Sequence, residues 1–272
     1  MSEFTAPSDP GVLVESNEEV AADFYRLRLS HPEAAAKVAP GQFVQLQVGG
    51  GVAPLLRVPL SVSAADSRTG TIEVLFEDMG PKTFLLSRAR EGDRLRCLGP
   101  LGIGFPDPPA AAVLVGGGIG VPPLLFLGQR LRPRHHVRLL VGARAAAKLL
   151  PEELLSSAAS EHRIATDDGS AGQRGFATDL LIEELDAFSS VTVYTCGPPA
   201  MMAAVAKICC ARGIPCFASL EEYMACGFGV CVGCVVPRVE AASPYHRYSR
   251  VCFDGPVYDA RKIGWENVHS PP

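Results

Sequence analysis

Four cysteines near the end of the chain, Cys226-x4-Cys231-x2-Cys234-x17-Cys252, limit what their surroundings can become. The first three match the C-x4-C-x2-C…C run of a plant-type [2Fe–2S] cluster, whose irons are held by four thiolates. The local text is Met224-Ala225-Cys226-Gly227-Phe228-Gly229-Val230-Cys231-Val232-Gly233-Cys234. Its glycines let the backbone turn tightly round inorganic sulfide and aim N–H groups at it, and such hydrogen bonds tune the potential. Two other uses of cysteine fit less well. Zinc sites favour paired C-x2-C units or Cys/His mixtures, whereas this span has one C-x2-C and His246 as its only histidine. Disulfides need an oxidising compartment. The cysteine count is nine, an odd number, and MSEFTAPSDPG does not read as a secretory signal. The remaining Cys97, Cys196, Cys209, Cys210 and Cys216 read as small hydrophobes in cores.

A length of 272 residues suffices for two domains and a small third. A net charge of −4 advertises neither nucleic acid nor an anionic membrane as partner. The uncharged stretch Ala110 to Gly128 has the length of a membrane span. It contains Gly116, Gly117, Gly118 and Gly120, then Pro122 and Pro123, so a buried strand, a glycine turn and a helix start explain it better. The expectation is a soluble, cytoplasmic protein.

The first hundred residues read as β. Val12–Ser16, Phe24–Ser30, Phe43–Val48, Leu60–Ser63, Thr71–Asp78 and Arg94–Leu98 are short, often alternating runs separated by Gly, Pro and Asp turns, among them Gly49-Gly50-Gly51. That spacing predicts an antiparallel β-barrel, with a short helix over Thr83–Arg90. Pro106-Asp107-Pro108-Pro109 reads as a linker. Beyond it, the apolar runs Ala112–Val115, Val137–Val141, Arg163–Thr166 and Thr192–Thr195 suit buried parallel strands. The helical stretches are Leu124–Leu131, Pro151–Ser160, Thr178–Phe188 and Pro199–Arg212. Strands alternating with helices predict a doubly wound parallel α/β domain. The cysteine- and glycine-rich end reads as a small region folded on its metal. The expected domains are residues 1–106, 107–218 and 219–272.

Two loops suit a dinucleotide. Gly116-Gly117-Gly118-Ile119-Gly120 follows a predicted strand and opens a predicted helix, where pyrophosphate meets backbone N–H groups and the positive end of the helix dipole. It is neither a strict G-x-G-x-x-G nor a P-loop, and a tight strand-to-helix turn is the plain alternative. Cys196-Gly197-Pro198 ends the last parallel strand, where ligands sit in such sheets. In the barrel half, Arg57-Val58-Pro59-Leu60-Ser61 sets a cation and a hydroxyl beside a strand, as a flavin pyrophosphate and ribityl chain require. Gly80-Pro81-Lys82-Thr83 offers a second contact to the same ligand.

Together, R-x-P-L-S, GGGIG, T-C-G-P-P and the run Ser219-Leu220-Glu221-Glu222 through Cys234 resemble the family of electron-transfer subunits of dihydroorotate dehydrogenase B, in the ferredoxin–NADP reductase superfamily. The likeness spans roughly Val12 to Trp265. It implies FAD in the barrel, NAD in the α/β domain and one [2Fe–2S] cluster at the C-terminus. Matched by motif, FAD contacts fall at Arg57, Val58, Pro59, Leu60, Ser61, Leu75, Phe76, Glu77, Gly80, Lys82 and Thr83. NAD contacts fall at Gly116, Gly117, Gly118, Ile119, Gly120, Cys196, Gly197 and Pro198. The cluster ligands are Cys226, Cys231, Cys234 and Cys252. The resemblance further implies an oxidoreductase subunit of pyrimidine biosynthesis, without acid–base catalytic residues of its own. Its partner is an FMN-containing dihydroorotate dehydrogenase catalytic subunit, together forming a heterotetramer.

Two departures stand out. The family often has R-R-P-I-S, where this chain has Val58 in the second position, and Lys82 replaces a glycine of G-x-G-T. Both changes also suit a cousin, the small subunit of NADH-dependent ferredoxin:NADP oxidoreductase. The cousin uses aspartate as first cluster ligand, where this chain has Cys226. A non-catalytic iron–sulfur sensor is a further reading. Arg144, at the end of Val141-Gly142-Ala143-Arg144, leaves NADP open beside NAD.

Overall fold

A computed structural model describes residues 9–49, 53–239 and 247–268. Gly50, Gly51 and His246 lie outside the described residues. Six strands, β1 (Gly11–Ala21), β2 (Phe24–Ser30), β3 (Phe43–Gln47), β4 (Val58–Asp66), β5 (Thr71–Glu77) and β6 (Arg94–Leu101), close into a barrel in the order β1-β2-β5-β4-β3-β6. All neighbours are antiparallel. Alternation decides which side chains enter it. In β3, Val44 and Leu46 belong to the barrel core, while Phe43 belongs to a second core outside it. β1 runs past Ser16 because register shifts after Val14 and Glu19 let it bend and keep pairing with β2. Helix α1 (Pro32–Lys37) plugs the barrel with Ala34 and Ala35, and α2 (Pro81–Ser87) follows β5.

Beyond the linker, β7 (Ala111–Gly117), β8 (Val137–Ala143), β9 (Glu161–Thr166), β10 (Gln173–Arg174), β11 (Val191–Cys196), β12 (Cys216–Ser219) and β15 (Val257–Asp259) form one sheet, ordered β10-β9-β8-β7-β11-β12-β15. It is parallel except for β15, which runs against β12. Helices α3 (Pro122–Leu131), α4 (Glu152–Ala158), α5 (Ala177–Leu185) and α6 (Pro199–Ala211) cover it, two of them starting on a proline that has no N–H to leave unpaired. Strand order reverses at β7, with β8 on one side and β11 on the other, so the ligand crevice of such a sheet opens there. The stretch with the length of a membrane span is β7, a 3₁₀ turn and α3. Among the described residues, no helix is long and apolar enough to cross a membrane.

The cysteine-rich end contributes β13 (Val235–Pro237), β14 (Tyr248–Arg250), α7 (Val251–Asp254) and β15. It is not free-standing: β15 extends the α/β sheet, and Met224, Cys234 and Cys252 share a core with Phe43, Leu98 and Leu101 of the barrel. The halves are also tied directly. Phe126 of α3 packs in the barrel core, Tyr194 donates to the Pro106 carbonyl at 2.8 Å, and Lys148 bonds Glu77 at 2.8 Å.

Candidate functional site

The two glycine loops converge. Gly116 on β7 is registered with Cys196 on β11. A Cβ on Gly197, which has φ +146°, would lie 2.8 Å from the Gly117 carbonyl, and one on Gly120 would fall onto the backbone of Gly197. Only glycine allows strand ends to approach this closely. Gly118, with φ +54°, faces open space, so its side of the loop is free to take a ligand. Ile119 packs in the core that holds Leu75, so the dinucleotide loop and the expected flavin strand adjoin.

The expected flavin contacts divide into two groups. Val58, Leu75 and Phe76 are buried in cores, leaving their backbone to meet a ligand. Pro59, Leu60 and Ser61 remain partly accessible on β4. The Arg57 guanidinium holds both oxygens of Asp9 at 2.8 Å. Despite the cost of burial, Arg57 and then Arg96 hold the Asp9 carboxyl below its ordinary value. Lys82 Nζ donates to the Arg57 carbonyl at 3.2 Å, which puts an ammonium beside the start of β4. Thr83 Oγ1 accepts from the Gly80 N–H at 3.0 Å and fixes the turn into α2. Leu55, Leu56, Met79 and Phe84 stand exposed around this strip, and a Cβ on Gly80 would meet nothing. An open apolar strip with one ammonium fits a planar, phosphate-bearing group. Glu77 is engaged by Lys148, which also bonds Asp23 at 3.2 Å.

The four expected cluster ligands fall into two pairs. Cys226 Sγ accepts from the Cys231 N–H at 3.4 Å, and Cys234 Sγ accepts from the Cys252 N–H at 3.4 Å. Gly229 N–H donates to Cys252 Sγ at 3.1 Å. A hydrogen bond from Cys252 outweighs burial and lowers the Cys234 thiol to about 6, while Cys252 itself is raised. Burial raises the Cys226 thiol, but backbone N–H groups, with Cys231 first, bring it down to about 7. Among the described residues, no three metal-ligating side chains converge as a single ion requires. Two thiol pairs ringed by N–H donors match two irons with two thiolates each. All nine cysteines are free thiols. Cys97, Cys196, Cys209 and Cys216 are buried as expected, with burial pushing Cys97 up to about 12. Cys210 differs, because it lies on the exposed side of α6.

Three side chains gain significance only in three dimensions. Glu221 stands just beyond β12, close enough for its charge to act on Cys196, and the protein packed round its carboxyl raises it to about 7. Asp168 stands beside Arg144, its N–H donating to the Arg144 carbonyl at 3.4 Å, and its carboxylate is held low by Ser170. Gln45 is wholly buried and its amide has no hydrogen-bond partner. The sequence signal for Glu221 was its place in the Ser219–Cys234 run; Asp168 and Gln45 carried none.

Comparison with known proteins agrees with this geometry. Residues 221–264 match the iron–sulfur cluster binding domain of dihydroorotate dehydrogenase B, and residues 114–207 match an oxidoreductase NAD-binding domain. The chain is 42% identical over 258 residues to the electron transfer subunit of dihydroorotate dehydrogenase B (NAD(+)) of Geobacillus thermodenitrificans, covering 92% of this chain and 96% of that one. The subunit of the same name in Desulforamulus reducens is 35% identical over 250 residues, covering 91% and 95%. In fold, the chain superimposes with a TM-score of 0.82 on a chain of the NADH-dependent reduced ferredoxin–NADP oxidoreductase, 24% identical, covering 98% of this chain and 92% of that chain. A ferredoxin NADP+ reductase from Neisseria gonorrhoeae with bound FAD and NADP gives a TM-score of 0.63 at 20% identity, covering 75% and 92%.

Proposed function

The chain belongs to the family of dihydroorotate dehydrogenase B electron-transfer subunits, and from that premise we propose that it links dihydroorotate oxidation in a partner subunit to NAD+ reduction. The partner is an FMN-containing catalytic subunit, the assembly a heterotetramer, and the setting cytoplasmic pyrimidine biosynthesis. The observation that carries this reading is the order of sites. Two thiol pairs abut one face of the barrel, the flavin strip lies on that barrel, and the glycine loops adjoin it from the α/β side.

When bound, the [2Fe–2S] cluster passes single electrons and FAD converts between single electrons and a hydride for NAD. The chain's own residues bind and orient. Cys226, Cys231, Cys234 and Cys252 hold the irons. The region 1–106 takes FAD: the backbone of Arg57, Val58, Pro59, Leu60 and Ser61 runs along the ligand, with Leu75, Phe76 and Glu77 beside it and Gly80 and Thr83 at the turn. Lys82 faces the pyrophosphate, since Asp9 already engages the Arg57 guanidinium. The region 107–218 would take NAD on Gly116, Gly117, Gly118, Ile119 and Gly120 together with Cys196, Gly197 and Pro198, whose loops meet at the end of β7 and β11. The NAD(+) in the names of the relatives supports NADH over NADPH. The region 219–272 carries the cluster and meets the partner. Val230, Val232 and Phe253 are exposed there, whereas the Trp265 indole already donates to the Ala260 carbonyl at 2.8 Å.

Reconstitution tests the reading. Dihydroorotate-dependent NAD+ reduction is expected only when this chain is mixed with an FMN-containing dihydroorotate dehydrogenase subunit. Activity from the chain alone, or no complex with such a partner, contradicts it.

A further inference from the structure

Gln45 stands where the flavin strand and the cluster loop come together. It has 0% exposure, and neither its Nε2 nor its Oε1 has a partner. A buried amide left unpaired is costly, and native proteins rarely keep one without a use. On β3, Val44 and Leu46 point into the barrel, so Phe43 and Gln45 point out of it. Phe43 packs in the core that contains Cys234 and Cys252. Gln45 reaches Gly227, the residue after Cys226. A Cβ on Gly227 would lie 2.6, 2.7 and 2.8 Å from Cδ, Nε2 and Oε1 of Gln45. Three nearly equal distances mean that the amide plane faces Gly227. The face of the amide therefore lies on Gly227, and both of its hydrogen-bonding atoms stand beside the loop that follows Cys226. On its other side, Gln45 is registered with Pro59, inside the expected flavin stretch.

We propose that Gln45 is a positioning residue between the two redox groups, its Nε2 donating a hydrogen bond to sulfur on the Cys226 side of the bound cluster. This rests on the function proposed above. A donor aimed at cluster sulfur stabilises the reduced, more negative state and raises the potential. The donor comes from the barrel, so it couples the cluster's potential to the lobe that carries the flavin.

The test is an EPR-monitored redox titration of the purified, cluster-loaded chain, comparing wild type with Gln45→Met, which keeps the length and loses the donor. The expected result is a lower cluster midpoint by about tenfold in the reduction equilibrium, about 59 mV for one electron. Iron and sulfide content and the FAD midpoint stay unchanged. A second measurement needs no variant. Wild-type protein labelled with 15N at the glutamine side-chain amides should show a weak nitrogen hyperfine coupling to the reduced cluster. An unmoved midpoint in a fully loaded variant, or no such coupling in wild type, overturns the proposal and leaves the function standing. A wild-type chain that holds no iron and sulfide overturns both.

Discussion

The barrel and the cluster segment answer the problem of closure differently. The barrel is sealed by its own aliphatic side chains: Leu27, Leu29, Val44, Leu46, Val62 and Val74 are all buried, and its sheet leaves no edge. The cluster segment has strands of three residues and turns set by left-handed backbone at Gly227, Gly229 and Val232. Its thiols stand in two pairs, and much of its apolar packing is borrowed from the barrel and the α/β sheet. One region folds by burial and then receives a ligand on its outside. The other takes its final closure from its metal.

The largest expected effect separates the two. Cys231→Ser should abolish the cluster, read as iron and sulfide per chain, while most FAD remains and NADH still reduces an artificial dye in part. Complete loss of flavin from this variant would mean the regions are not separable. The converse change is in the barrel. Leu27→Ala should cost about 3 kcal/mol through the cavity it leaves, and FAD release on heating should move to lower temperature.

The same contrast governs what the sequence disclosed. Alternation and turns made the barrel legible, and the α/β alternation made the sheet legible, because burial writes a period into the chain. The cysteine spacing pointed to an iron–sulfur binding region, which the match over residues 221–264 bears out. Short elements stayed hidden: α1 is six residues long and its N-cap is His31, and β15 is three residues that pair only because β12 is there. Gln45 shows the limit best. In Phe43-Val44-Gln45-Leu46-Gln47 it reads as the solvent face of a half-buried strand, yet the cluster segment, nearly two hundred residues later in the chain, covers that face. Arg57 is similar, because nothing in its motif announces Asp9.

Smaller effects sharpen the comparison. Val232 is a branched residue at φ 57°, a conformation costly for anything but glycine. Val232→Gly should stabilise the isolated chain by up to about 1 kcal/mol, net of glycine's entropy. On the proposed interface it should also weaken binding to the partner subunit, because the side chain stands exposed. A thermal melt and a binding titration read the two signs. The smallest effect concerns Glu221, raised from an ordinary 4.5 to about 7 by the protein around it. Between those values the folded chain keeps a proton that the unfolded chain has lost. Stability from this group is therefore full below the lower value and falls as pH rises through about 7. Glu221→Gln should flatten that part of the melting-temperature profile; an unchanged slope would assign it to another group.

The central claim is that one chain carries electrons between a nicotinamide site and a separable iron–sulfur site. Anaerobic titration of the purified chain with NADH, followed by visible absorption and low-temperature EPR, tests it most directly. The account predicts flavin bleaching together with the signal of a reduced [2Fe–2S] centre in wild type, and flavin bleaching alone in Cys231→Ser. Bleaching without any iron–sulfur signal in a wild-type chain that contains two irons and two sulfides would contradict it.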